Sequence, residues 1–260
     1  MNYEVITEKP GDAANLEQLE IFFTRYNWSL SFAKNKRILE VGCGSGIALN
    51  KLVSAAKYVE AWDVEKSNIE LAKTINNDLP SSKINFYKKS VDELANIKPH
   101  FFDIIISFEC IYYFPEVSKF FKDCNNILPS GGKVLISSVN PEWHSFNPSF
   151  SSNSYFDCAT LSKIASSNGF KVREYFSFED KLNTLSSYII FTLKFFAVKM
   201  NLVPKSMKGK RFLKKLFLGS NSSLPNDIFS IGLKARPFVL SKKVIDPSKY
   251  KMIYLECTKI

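Results

Sequence analysis

Residues 38–46 read Ile-Leu-Glu-Val-Gly-Cys-Gly-Ser-Gly, an apolar run interrupted by Glu40 and closed by glycines at alternate positions. Lys36–Val41 reads as a short strand and Ile47–Ala56 as a helix, so the glycines stand where a strand turns into a helix. In a doubly wound sheet this is the crevice where ligands bind, and glycine lets the backbone turn sharply and approach a ligand. Spacing separates the usual loops. A dinucleotide fingerprint would put its third glycine at position 47, which is Ile47, and a phosphate-binding P-loop would need Lys-Ser or Lys-Thr after Gly46, where Ile47-Ala48 stands. Asp63 ends the next strand, Tyr58–Trp62, 21 residues beyond Gly42. A carboxylate there can accept both hydroxyls of a ribose. The pattern suits an adenosine-like ligand held without a pyrophosphate grip.

The pattern outward from the loop alternates. Apolar residues Leu16, Leu19, Phe22, Phe23 and Tyr26 recur at helical spacing within 13–34. After the loop come a helix over Ser67–Asn76 that Ser67 or Asn68 can cap, a strand at Ile84–Tyr87 and an almost wholly apolar strand at Phe102–Phe108. A helix over Val117–Ile127 follows, then strand Lys133–Val139, helix Thr160–Ser167 and strand Phe170–Phe178; Met252–Ile260 alternates as a last strand. Strands and helices in turn mean parallel strands joined by right-handed crossovers, a doubly wound α/β sheet. The apolar Phe102–Phe108 suits its buried middle.

The 260 residues carry 45% hydrophobic and 23% charged side chains, which excludes wholesale disorder. No run of eighteen uncharged apolar residues is present, and Met1–Glu20 lacks a basic stretch followed by an apolar one, so a cytoplasmic protein is expected. Five widely spaced cysteines without C-x-x-C argue against a disulfide framework and a zinc site. The net charge of +10 is uneven: residues 181–260 carry 16 Lys and Arg against 3 Asp and Glu. That asymmetry points to an anionic partner or to a solvated lysine-rich face.

Ile38–Gly46 resembles motif I of the class I S-adenosylmethionine-dependent methyltransferases. Ala61–Val64 resembles the end of that family's second strand, Phe102–Ser107 its fourth strand, and Ile127–Gly132 the turn before its fifth. Arg25-Tyr26 is similar to a pair that closes over the methionine end in some members. The resemblance implies a Rossmann-like, mostly parallel seven-stranded sheet with an antiparallel last strand, and S-adenosyl-L-methionine as cofactor. It implies cofactor contacts from Arg25, Glu40, Gly42, Cys43, Gly44, Asp63, Val64, Ser107 and Phe108. Where the family often has an adenine-binding Asp this chain has Ser90, so Ser90 and Val91 meet the ring or Asp92 substitutes. Tyr113 stands where many members have histidine. The expected division is a helical segment over 1–35 covering the cofactor, a core over 36–180, a basic apolar insertion or cap over 181–250 for substrate, and a final strand over 251–260.

The implied reaction is in-line methyl transfer to an oxygen or nitrogen of a small-molecule acceptor, a sugar, nucleotide-sugar or lipid-linked intermediate, anionic in keeping with the basic insertion. A hydroxyl acceptor would gain from a general base. His144, just past the fifth strand, is one candidate; Glu109 and Tyr113, after the fourth, can position an acceptor. His100 reads as solvent-facing. Residues 188–217 mix apolar and basic side chains at near-helical spacing, as in a cap packed on the cleft or a helix lying on an anionic bilayer. Nucleic acid is disfavoured, since no zinc-finger, RRM or KH pattern is present. An RNA methyltransferase and a cofactor-binding, non-catalytic subunit are the competing readings.

Overall fold

The structure, a computed structural model, describes residues 7–149, 151–180 and 222–260. Chain order runs β1 (Ala13–Ala14), α1 (Leu16–Ala33), β2 (Arg37–Val41), α2 (Leu49–Ala55), β3 (Tyr58–Asp63), α3 (Lys66–Ile75), β4 (Ile84–Lys88), β5 (Ile104–Phe108), α4 (Val117–Ile127) and β6 (Lys133–Val139). It continues with α5 (Cys158–Ser167), β7 (Phe170–Glu179), β8 (Ser222–Ser223), β9 (Val239–Leu240) and β10 (Tyr250–Lys259). The main sheet is ordered β4-β3-β2-β5-β6-β10-β7-β9. β4 through β6 are parallel, β10 is antiparallel to both β6 and β7, and β9 adds two antiparallel residues at the edge. The sheet is therefore the expected mostly parallel one with an antiparallel last strand, extended by a short eighth strand.

Alternating side chains feed two apolar layers. Ile38, Val59, Ile104, Ile106 and Leu135 pack with α1, α2 and α3, while Leu39, Ile105, Val134, Ile136 and Leu255 pack with α4 and α5. β5 is buried along its whole length, as its apolar sequence requires. α1 begins with a reciprocal cap: Gln18 N–H donates to Asn15 Oδ1 at 2.8 Å, and Asn15 N–H to Gln18 Oε1 at 3.2 Å. Its Trp28 ring meets Tyr254 of β10 at 5.4 Å, which seats α1 against the sheet.

Two local expectations change. α2 starts at Leu49 because a turn over Gly46–Ala48 precedes it, with Leu49 N–H donating to the Gly46 carbonyl. α3 starts at Lys66 after Glu65, without a side-chain cap, and neither Ser67 nor Asn68 caps it. Asn68 is buried and turned to Asp63 instead.

Residues 222–250 close the N-terminal segment against the core. β8 pairs with β1, Gly11 N–H donates to the Leu224 carbonyl at 2.9 Å, and Ile228 N–H to the Ile47 carbonyl at 2.9 Å. The basic apolar stretch 188–217 lies outside the described residues. Among those described, no helix is long and apolar enough to cross a membrane.

Phe121 on α4 is fully buried between Phe120 and Phe170. Phe121→Ala is expected to lower stability by about 3–5 kcal/mol, read as a lower urea midpoint with an unchanged slope.

Candidate active site

The loop after β2 is shaped by its glycines. Gly42, at φ +81°, lies so close to the turn after β5 that a Cβ there would meet the Cys110 Sγ at 2.7 Å. The Cys110 thiol in turn donates to the Val41 carbonyl at 3.0 Å. Gly42 and Cys43 N–H both donate to the Trp62 carbonyl, at 2.8 and 2.9 Å, which draws the loop onto the end of β3. There the Asp63 carboxylate accepts from Gly44 N–H at 2.9 Å, Glu65 N–H at 2.9 Å and the Asn68 amide at 3.1 Å. Burial raises the Asp63 pKa, and these three donors oppose the rise.

Above the loop is a cleft of about 470 Å³. Thr7 and Glu8 cover one side of it; Thr7 Oγ1 accepts from Asn68 at 2.9 Å, and the Glu8 carbonyl accepts from Ser45 Oγ at 2.7 Å. Arg25 is buried, with its guanidinium 4.0 Å from the Phe22 ring centroid and 3.5 Å from the Glu8 carboxylate. Its Nε has no hydrogen-bond partner among the described residues. Tyr26 OH donates to Glu40 at 2.5 Å. Burial pushes Glu40 up to about 7, against the pull of Tyr26 and Arg25.

Glu109 forms the other wall. It has φ +54°, an uncommon conformation for a residue with a side chain. Its N–H donates to the Ser137 carbonyl at 2.9 Å, and Tyr112 OH donates to Oε2 at 3.5 Å. Oε1 is buried without a partner among the described residues. Burial lifts the carboxyl to about 7, with Arg25 the main opposing influence. Desolvation likewise pushes Tyr113, four residues further on in the same wall, up to about 12.

Of the residues named from sequence, Arg25, Gly42, Cys43, Gly44, Asp63, Val64, Ser90, Val91, Phe108, Glu109 and Tyr113 line this cleft. Glu40 and Ser107 stand behind it, Glu40 holding Tyr26 and Ser107 Oγ lying 3.1 Å from Cys110 Sγ. Ser90 is committed in part to its own turn: its Oγ accepts from Asp92 N–H at 3.3 Å, and its N–H donates to Glu93 at 3.0 Å. Asp92 is not on the wall. Neither is His144, whose Nδ1 lies 2.8 Å from the Ser248 carbonyl and Nε2 3.2 Å from Asp180. Sequence reasoning missed Thr7, Glu8, Asn68, Lys89 and Cys110, whose places depend on contacts across the fold. Lys89 sits with its ammonium 4.4 Å from the Trp62 ring centroid at the mouth.

A loop that spends its amides on β3 and its carboxylate, with no lysine behind it, makes the cleft one for a nucleoside, at the switch point of a Rossmann-like methyltransferase fold. The methyltransferase domain family matches residues 21–175, and the chain belongs to that family, the class I S-adenosyl-L-methionine-dependent methyltransferases. Over 126 residues it is 30% identical to a ubiquinone biosynthesis O-methyltransferase of Nitrosococcus oceani, covering 48% of this chain and 52% of that one. The chain spans about half the length of the curated relatives it matches. Among solved structures, an S-adenosylmethionine-dependent methyltransferase from Thermotoga maritima superposes with TM-score 0.57 at 13% identity, covering 93% of this chain and 90% of that one. Phosphoethanolamine N-methyltransferase 2 of Haemonchus contortus, solved with S-adenosyl-L-methionine, gives 0.55 at 16% identity over 96% and 53%. The family's cofactor, S-adenosyl-L-methionine, is the cofactor of this chain.

Gly42→Ala is expected to abolish the calorimetric heat of S-adenosylhomocysteine binding. Gly44→Ala should weaken it less, because its added methyl meets the Thr7 methyl at 3.2 Å rather than a thiol at 2.7 Å.

Proposed function

We propose that this chain transfers the methyl group of S-adenosyl-L-methionine to a hydroxyl oxygen of a small-molecule acceptor, and that Glu109 takes the proton the hydroxyl gives up. The observation that carries this reading is the Glu109 carboxyl, which is buried in the cleft wall, has one oxygen without a partner among the described residues and has a pKa raised to about 7. A base poised near neutrality is matched to an alcohol or phenol. Its left-handed backbone is a strain of the kind that persists where the surrounding fold fixes a functional geometry.

The residues present fit the cofactor. Asp63 would accept the ribose hydroxyls, Val64 and Val91 would lie beside the base, and the glycines at 42 and 44 would allow close backbone approach. Arg25, with Nε unpartnered in the cleft, is the natural cation for the methionine carboxylate. When bound, the cofactor supplies an electrophilic methyl group on a sulfonium. The chain's own work is to align the acceptor, exclude water and receive one proton at Glu109 Oε1. Ile21, Phe22, Tyr113, Phe114, Val139 and Met252 make much of the acceptor wall apolar, which suits a flat or hydrophobic acceptor face.

In this reading residues 1–35 cover the cofactor, 36–180 bind it, 181–250 select the acceptor and 251–260 complete the sheet. Oxygen is favoured over nitrogen by Glu109, since a neutral amine's free lone pair has no need of a base, and by the O-methyltransferase names of the sequence relatives. The basic charge of 181–250 favours an anionic acceptor. The base role passes from His144 to Glu109 because both ring nitrogens of His144 face oxygen acceptors away from the cleft.

The test is a screen of phenolic and sugar hydroxyl acceptors with labelled cofactor. Glu109→Gln should lower kcat by about 10²–10⁴-fold and leave S-adenosylhomocysteine binding in place; full activity in the variant would sink the base assignment. The carboxyl is protonated below its pKa and ionised above it. The wild-type kcat should therefore rise with pH to a plateau above about 7, and the rise should be missing from the residual activity of Glu109→Gln.

A further inference from the structure

Two strands on one side of β5 bring hydroxyl groups up behind Glu109. The last residue of β5, Phe108, is in register with Ser137 on β6, and Ser137 is in register with Tyr254 on β10. Glu109 follows Phe108 directly and is tied to the Ser137 carbonyl. Side chains directly opposite on antiparallel strands have Cβ atoms about 4.5–5.5 Å apart. Two residues further along each strand, on the same face, Val139 and Met252 line the cleft. Ser137 and Tyr254 are thus one step deeper than the wall on which Glu109 sits.

Both are fully buried, and neither the Ser137 nor the Tyr254 hydroxyl has a hydrogen-bond partner among the described residues. Glu109 Oε1 and Arg25 Nε are orphaned in the same neighbourhood. Packing does not account for the phenol oxygen. The Tyr254 ring is already held by Trp28 at 5.4 Å and Phe238 at 4.7 Å, contacts that phenylalanine would make equally well. A buried hydroxyl without a partner is costly, so its retention calls for a role. The Tyr254 hydroxyl lies within electrostatic range of Glu109 and Arg25, and the Ser137 hydroxyl is near enough to favour the ionised Glu109 carboxyl.

We propose that Tyr254 and Ser137 are positioning residues whose hydroxyls donate to the ionised Glu109 carboxylate and hold its free oxygen toward the acceptor. This rests on Glu109 as the base. The other groups facing that carboxyl are Arg25 on α1, Glu8 in the N-terminal cover, and Cys110, Tyr112 and Tyr113 in the turn after β5. Arg25 and the Tyr112 hydroxyl favour the charged form, as the proposed donors do; Glu8 and burial oppose it. Removing a donor to the charged form raises the carboxyl's pKa.

The experiment is a carbon-13 NMR titration of glutamate carboxyls in the S-adenosylhomocysteine complex, with Glu109→Gln identifying the Glu109 signal. Tyr254→Phe is expected to raise its midpoint by about one pH unit, and Ser137→Ala to raise it by less. With an acceptor in hand, kcat of Tyr254→Phe at pH 7 should fall about fivefold and recover above about pH 9, with KM unchanged. A folded Tyr254→Phe protein whose Glu109 midpoint does not move overturns the proposal. If that variant does not fold, an unmoved midpoint in Ser137→Ala does so. The titration needs no turnover, so it stands apart from the base assignment, which fails separately if Glu109→Gln keeps full activity.

Discussion

The Asp63 carboxylate is the interaction on which the rest of this site depends. It accepts from the backbone of Gly44, from the backbone of Glu65 and from the side chain of Asn68, and so joins the glycine loop, the end of β3 and the first turn of α3 in one small node. The Trp62 carbonyl, one residue earlier, takes two further loop amides. Charge-assisted hydrogen bonds of this kind are the stronger ones, and here they fix a loop that sequence alone leaves conformationally free. With the loop fixed, Cys110 can pack against Gly42, and the turn after β5 is carried to the place where Glu109 faces the cleft.

A second constraint is electrostatic. Glu40 and Glu109 are buried within electrostatic reach of the buried cation Arg25, and Asp63 adds a further negative charge near Glu40. The guanidinium does not offset the desolvation of both carboxylates, and Glu40 and Glu109 are both pushed to about 7. Their surroundings divide their roles. Glu40 accepts the Tyr26 hydroxyl beneath the cleft floor, which locks the aromatic side chains of α1 against Phe108. Glu109 keeps one oxygen uncommitted and on the wall.

Much of the fold was legible because its signals are local and periodic. The apolar run Phe102–Phe108 and the punctuation at Leu128–Gly132 each matched a strand or turn, and Gly42, Gly44 and Asp63 fell in the cleft their spacing implied. What sequence reasoning missed was set by long-range contact. Asn68 reads as a helix cap, but tertiary structure turns it to Asp63. Thr7 and Glu8 carry no motif and reach the cleft because β1 is held by β8, more than two hundred residues away in the chain. His144 reads as a base by its position after the fifth strand, yet its ring is engaged by the Ser248 carbonyl and Asp180 and is not among the side chains lining the cleft. Residues 188–217, where sequence points to a cap or a membrane-facing helix, lie outside the described residues.

The most direct measurement is calorimetric titration of the protein and its Asp63→Ala variant with S-adenosylhomocysteine, with NAD as the competing nucleotide. The account predicts binding to the wild-type protein, loss of that binding in the folded variant and no heat from NAD. Equal binding by both proteins, or a preference for NAD, would contradict a cleft organised around Asp63 for an adenosyl cofactor without a pyrophosphate grip.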